Sequence, residues 1–274
     1  IMLRDITLGQ YYPADSVIHK LDPRTKLFAT LLFIISVFSF DGIVGFIVMT
    51  AFLFGVIALS KVPLSFMLRG LKAIMILLVI AGLFNLFLTP GQVLWSIWKI
   101  HITREGLRNA VLMTIHMVYL IMGSSVMTLT TTPNQLTDGL EKALKPLQKI
   151  NVPVHEIAMM MSIALRFIPI LIEETDKIMK AQMARGADFE TGGLVKKAKN
   201  MVPLLVPLFV SAFRRANDLA MAMEARCYRG GNGRTKMKPL IYKSADHMAY
   251  LITILYVVIA FVVGRYVPFK LWIF

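Results

Sequence analysis

The chain has 274 residues, 57% of them hydrophobic, with a mean hydropathy of +0.66 and a formal net charge of +14. That apolar content excludes an ordinary water-exposed domain, and several windows approach the roughly 20 residues needed to cross a hydrocarbon core, too many for one secretory signal. The positive charge does not mark a nucleic-acid binder, because the basic residues gather between apolar runs, where the positive-inside rule accounts for them. The single cysteine, Cys227, excludes an internal disulfide and a multi-cysteine metal cluster.

The segment through Lys20 is polar and aromatic enough to lie at an interface. Asp22-Pro23 then reads as an N-cap followed by proline at the first helical position, with Arg24 and Lys26 before the apolar run Leu27 to Phe40. Asp41-Gly42 is a turn signal, and Ile43 to Leu59 completes a predicted transmembrane hairpin. Lys61, Arg69 and Lys72, with Pro63 and Gly70, form a connection expected on the cytoplasmic side. A third span is predicted over about 73–89, a short interfacial segment carries Trp95, Trp98 and Ile100, and a fourth span covers about 107–129.

Thr132-Pro133 opens an amphipathic helix with Leu136, Leu140, Leu144 and Leu147 on one face and Glu141 and Lys145 as an i,i+4 pair on the other. Two long segments follow, from about Val154 to Arg185 and from about Lys196 to Tyr228, each apolar at its start and charged at its end. Arg166 would be expensive in lipid, and Pro169 is expected to bend the first of them. A final span runs from Met248 to Val263. Together these give an all-α polytopic protein with about five transmembrane helices and long cytoplasmic helices. Residues 1–130 form a membrane region with four spans, 131–244 a cytoplasmic coupling region with amphipathic and partly membrane-contacting helices, and 245–274 the last span. Eighteen of the 30 Lys and Arg residues lie between positions 136 and 244, which places that region and the N-terminus inside and the C-terminus outside.

No G-x-x-x-x-G-K-[ST] loop, H-E-x-x-H pattern or G-x-S-x-G elbow is present. His155, Glu156, Glu173 and Glu174 are available acid/base groups, but no nucleophile or metal site converges on them. A self-contained secondary carrier would show repeated membrane halves and polar midplane residues, and Asn85 alone is poor support. A scaffold for partners that consume no energy is a further alternative.

The more informative feature is a repeat. AQMARGADF at 181–189 is followed 41 positions later by AMEARCYRG at 222–230, so Arg185 and Arg226 each stand where a long helix reaches a small residue. At a helix end a guanidinium can satisfy the last carbonyls. It can also enter a carboxylate-lined pocket of a partner and bond in bidentate fashion. Two similar plugs suit two similar subunits.

Four stretches together resemble EcfT, the CbiQ-like transmembrane component of energy-coupling factor transporters. They are SVIHKLDPRTKL (16–27), TTPNQLTDGLEKALKPL (131–147), ALRFIPILIEETDKIMKAQMARGADF (164–189) and AFRRANDLAMAMEARCYRG (212–230). The resemblance implies a noncatalytic subunit of the prokaryotic cell membrane that binds no cofactor. It would join two cytoplasmic ABC-type ATPases, identical or paralogous, to a membrane substrate-binding component for uptake of vitamins or other micronutrients. ATP would be used by those partners, and the bilayer is the remaining surrounding. The implied ATPase-docking residues are Ala184, Arg185 and Gly186 at one helix end, and Ala225, Arg226 and Cys227 at the other. Cys227 stands in place of glycine, the residue that a left-handed cap favours. The methionines at 159, 160, 161, 179, 183, 221 and 223 would offer an adaptable surface to the substrate-binding component.

Overall fold

The computed structural model describes residues 10–39, 43–97, 100–187, 189, 193–231, 235, 237 and 239–266. Among these, nine α-helices and one small β-hairpin appear, so the chain is all-α apart from that hairpin. Two compact units result, one built on residues 140–239, the other on 10–139 and 240–266.

In the second of these units, α1 (Val17–Lys20) begins at Ser16, whose hydroxyl accepts from the His19 N–H. Helix α2 (Pro23–Val37) starts as its sequence demands: the Asp22 carboxylate accepts from the Arg24 N–H at 2.9 Å, and Pro23 occupies the first turn, where no donor is lost. Helix α3 (Ile43–Ser60) ends where Lys61 takes a left-handed φ of +55°. Helix α4 (Leu64–Leu88) begins earlier than the hydropathy pattern suggests, because the basic stretch with Arg69 and Lys72 is itself helical.

Strands β1 (Val93–Ile97) and β2 (Ile100–Thr103) pair antiparallel, Val93 opposite Thr103 and Ile97 opposite Ile100. The alternation expected of an interfacial segment is the period-two pattern of a strand. Trp98 lies outside the described residues. Helix α5 (Arg104–Thr130) is capped by Thr103, whose Oγ1 accepts from the Gly106 N–H at 3.0 Å.

Helix α6 (Pro133–Leu144) opens with a reciprocal capping box. The Thr132 N–H donates to Gln135 Oε1 and the Gln135 N–H to Thr132 Oγ1. Pro146 removes a donor, and the chain tightens into a 3-10 turn, Lys145–Ile150, closed by Asn151 at φ +59°. Helices α7 (Val154–Ala184) and α8 (Leu194–Ala225) make up most of the 140–239 unit, and α9 (Ser244–Tyr266) completes the other.

Three described helical segments are long and apolar enough to cross a membrane: Arg104–Thr130, Val154–Ala184 and Ser244–Val262. A fourth arises if the pair Val44–Ser60 and Leu64–Lys72, bent by 119°, is one broken span. Five spans are not reached on length, because α2 has 15 residues, about 22 Å against a hydrocarbon core of about 30 Å. The Ile74–Leu88 stretch is likewise short.

The buried centre of the unit built on 10–139 and 240–266 draws on α2, α3, α5 and α9 through Val37, Met49, Leu53, Val126 and Ala260. The Phe52 and Tyr256 rings stack with centroids 4.1 Å apart. Two hydroxyl pairs link helices here, Ser36 Oγ with the Tyr256 hydroxyl at 2.8 Å, and Thr50 Oγ1 with the Tyr119 hydroxyl. A Cβ on Gly123 would overlap the Phe33 ring, so α2 and α5 approach closely there. Large apolar side chains such as Leu31, Ile76, Phe84 and Phe261 are exposed, a surface suited to lipid and not to water.

Candidate functional site

The end of α7 is built by its backbone. Arg185 is the last helical cap, with φ −91° and ψ 9°, and Gly186 follows at φ +86°. The Gly186 N–H donates to the Met183 carbonyl and the Ala187 N–H to the Gln182 carbonyl, both at 3.0 Å. This is a Schellman closure, with glycine at the position whose left-handed backbone it tolerates best.

The end of α8 repeats it atom for atom in pattern. Arg226 sits at φ −93° and ψ 14°, and Cys227 follows at φ +54°. The Cys227 N–H donates to the Glu224 carbonyl at 2.8 Å and the Tyr228 N–H to the Met223 carbonyl at 3.0 Å. Cysteine therefore adopts the turn in spite of its Cβ, which disfavours the left-handed region.

Because backbone N–H groups already occupy these terminal carbonyls, the guanidiniums are not needed as caps. Arg185 and Arg226 are both exposed, and among the described residues neither guanidinium has a hydrogen-bond or ion-pair partner. Ala184 and Ala225 are exposed beside them, so the residue before each arginine adds only a methyl group. The sequence-predicted residues thus assemble into two equivalent ends of one shape.

Helices α7 and α8 pack together and run antiparallel. Glu174 in α7 meets α8 at Ser211, whose hydroxyl donates to Oε1 at 2.5 Å, and at Arg215, whose Nη2 and Nε donate to Oε2 at 2.7 and 3.2 Å. Eight residues further along α7, Gln182 Nε2 reaches the Pro203 carbonyl at 3.4 Å, eight residues back from Ser211 along α8. That carbonyl lacks its helical donor because Pro207, four residues on, has no N–H, and the glutamine amide supplies one. The antiparallel course puts Arg185 and Arg226 at opposite ends of the pair.

The other acid/base candidates do not converge. His155 Nδ1 lies 2.9 Å from Glu141 Oε1, so its partner comes from α6 and not from the adjacent Glu156. Its ring is packed against Gly231, where a Cβ would overlap it. Among the described residues no group of three His, Cys, Asp or Glu side chains is placed to hold a metal ion.

A polar hub in the unit that holds α1, α2, α5 and α9 escaped the sequence reading. Asp246, 1% exposed near the start of α9, accepts from the Asp22 N–H at 2.7 Å, from Thr25 Oγ1 at 3.3 Å and from the Lys243 N–H at 2.8 Å. Lys26, 6% exposed, donates from Nζ to the Thr130 carbonyl at the end of α5 and to the His19 carbonyl at the end of α1. Arg24 binds both oxygens of Asp22 and lies over the Tyr242 ring at 3.9 Å. The SVIHKLDPRTKL stretch thereby joins α1, α2, α5 and α9. The signal available for it was a run of charged residues next to an apolar segment, which reads equally well as a cytoplasmic flank.

Comparison with known proteins adds the following. Residues 14–237 match the family model CbiQ, described as cobalt transport protein. The energy-coupling factor transporter transmembrane protein EcfT of Clostridium kluyveri is 54% identical over 262 residues, 94% of this chain and 97% of that protein. Its counterpart in Thermosediminibacter oceani is 53% identical over 251 residues, 92% and 95% of the two chains. That of Bacillus subtilis is 47% identical over 246 residues, 89% and 93%.

Proposed function

The chain belongs to the CbiQ/EcfT family of energy-coupling factor transmembrane proteins, and from that membership we propose that it links two ABC-type ATPases to a membrane substrate-binding component during micronutrient uptake. It is a noncatalytic, multi-pass membrane subunit, and the hydrolysis of ATP belongs to its partners. The observation that carries the reading is the pair of identical helix closures, each presenting an exposed arginine, at opposite ends of one antiparallel helix pair. Two separated plugs of one shape fit two ATPase subunits of one fold, identical or paralogous.

Each arginine enters a carboxylate-bearing groove of one ATPase, where its planar fork bonds in bidentate fashion and the neighbouring alanine allows close approach. Ala184, Arg185 and Gly186 serve one ATPase, and Ala225, Arg226 and Cys227 the other. In this arrangement 1–130 is a membrane region, 131–244 the cytoplasmic coupling region, and 245–274 returns to the membrane. Five spans are reached when α3 and the short apolar helices α2 and Ile74–Leu88 cross with flanking residues beside α5 and α9, while Val154–Ala184 serves in the coupling region. The substrate pocket lies in the partner component, which slides against the methionine-rich sides of α7 and α8.

The test is a pull-down from membranes coexpressing the ATPases and the substrate-binding component, with wild type, Arg185→Glu, Arg226→Glu and the double variant. Each reversal is expected to weaken ATPase retention, and the double variant to abolish it while membrane insertion persists. Undiminished retention by the double variant removes these residues from the docking site.

A further inference from the structure

The two arginines are equally spaced from a contact between their helices. Shifting α7 by 41 positions places Arg185 on Arg226, Glu174 on Arg215, and Ile170 on Ser211. Glu174 and Arg215 therefore stand at the same distance along the chain from the two arginine ends, and they bond to each other. Two antiparallel helices in contact at equivalent residues cross at a local two-fold axis, so the ion pair marks that axis. From it, each arm to its arginine is 11 residues long, about 16 Å of helix. Eleven residues are just over three whole turns, which returns each arginine to nearly the helix face that carries the crossing contact.

We propose that Glu174, with Ser211 and Arg215, is the pivot that sets the angle between the two arms, and that Glu174 and Arg215 are positioning residues for energy coupling. This rests on the docking reading given above. Opposite charges make the pivot possible. A contact here between two carboxylates or two guanidiniums would repel, whereas Glu174 and Arg215 give an attractive, asymmetric joint. The fork of Arg215 and the Ser211 hydroxyl bind both carboxylate oxygens, which fixes orientation more tightly than a point charge does.

The joint is also built to yield. Glu174 and Arg215 are 23% and 39% exposed, so water screens the pair and its share in holding the fold is small. Beside it lies a cleft of about 330 Å³ lined by Ile170, Glu173, Lys177 and Ala181, which leaves room for the two side chains to swing as the crossing angle changes. Closure and opening of an ATPase pair would move the arms, and a hydrogen-bonded fulcrum would convert that movement into rotation and limit sliding.

The decisive experiment uses the complex of the full chain with both ATPases and the substrate-binding component. Glu174→Arg, Arg215→Glu and the double swap are compared with wild type for ATPases retained per chain, ATP turnover and membrane level. Each single reversal is expected to leave the membrane level unchanged, to drop retention from both ATPases towards one, and to cut turnover at least about fivefold, the lower end of ordinary coupling effects. The double swap restores attraction at the axis and is expected to return both values to within about twofold of wild type. Single reversals that keep both ATPases and full turnover overturn the pivot and leave the docking reading intact, as does a double swap no better than either single. A wild-type chain that retains no ATPase removes the docking reading and the pivot with it.

Discussion

Gly186 and Cys227 hold the same left-handed backbone, φ +86° and +54°, one residue beyond the two exposed arginines. No heavy atom outside the neighbouring residues lies within 4 Å of where a Cβ on Gly186 would stand, so a side chain there meets open space and bears only the backbone penalty. That penalty is about 1 kcal/mol. Cys227→Gly should therefore raise the thermal midpoint of the detergent-solubilised chain, and Gly186→Ala should lower it. Equal midpoints in the three proteins would mean that helix-end strain does not reach global stability, and hydrogen exchange at Ala187 and Tyr228 would then show whether it is confined to the last turns.

The exposure of Cys227 supplies a second test without any substitution, since the chain has no other thiol. If Arg226 is seated in an ATPase, the adjacent sulfur is covered. Maleimide labelling should be fast in the isolated chain and several-fold slower in the assembled complex. Equal rates would place the α8 end outside the ATPase contact.

These features differ in how far the sequence discloses them. The starts of α2 and α6 follow from Asp22-Pro23 and from Thr132 with Gln135, because caps are local. The two arginine ends were legible as a repeat, but the left-handed turn at Cys227 was not, since residue preference there points to glycine and the turn is set by the bonds from Cys227 and Tyr228. Glu174 read as one of several charges on a polar helical half. Its bond to Arg215 depends on a crossing between residues 41 apart, which no local pattern encodes. Lys26 read as part of a basic flank and Asp246 carried no signal of its own, and their burial follows only from the packing of α5 and α9 around α2.

His155 and Gly231 give a pairwise prediction within the 140–239 unit. The imidazole is held by Glu141 and lies where a Cβ on residue 231 would go. Gly231→Ala should destabilise the chain, and His155→Ala should relieve most of that added cost, although it loses the bond to Glu141. A double-mutant cycle in which the two effects simply add would show that the chain after α8 does not press on this ring.

Asp22 yields a prediction in pH. Burial pushes its carboxyl up, but the side-chain and backbone donors of Arg24 outweigh it and hold the group below the ordinary aspartate range. A carboxyl whose folded value is depressed adds stability above its unfolded value and loses it as pH falls through the folded one. The contribution should thus be complete at neutral pH and decline below about pH 4. Asp22→Asn keeps an oxygen that can cap α2 but removes the charge, which isolates the ionic part. The thermal midpoint of wild type should exceed that of Asp22→Asn at pH 7, and the gap should close on acidification as the carboxyl takes up its proton. A gap that stays constant from pH 7 into the acid range would mean that Asp22 acts here as a cap alone, and that the Arg24 guanidinium contributes nothing through its charge.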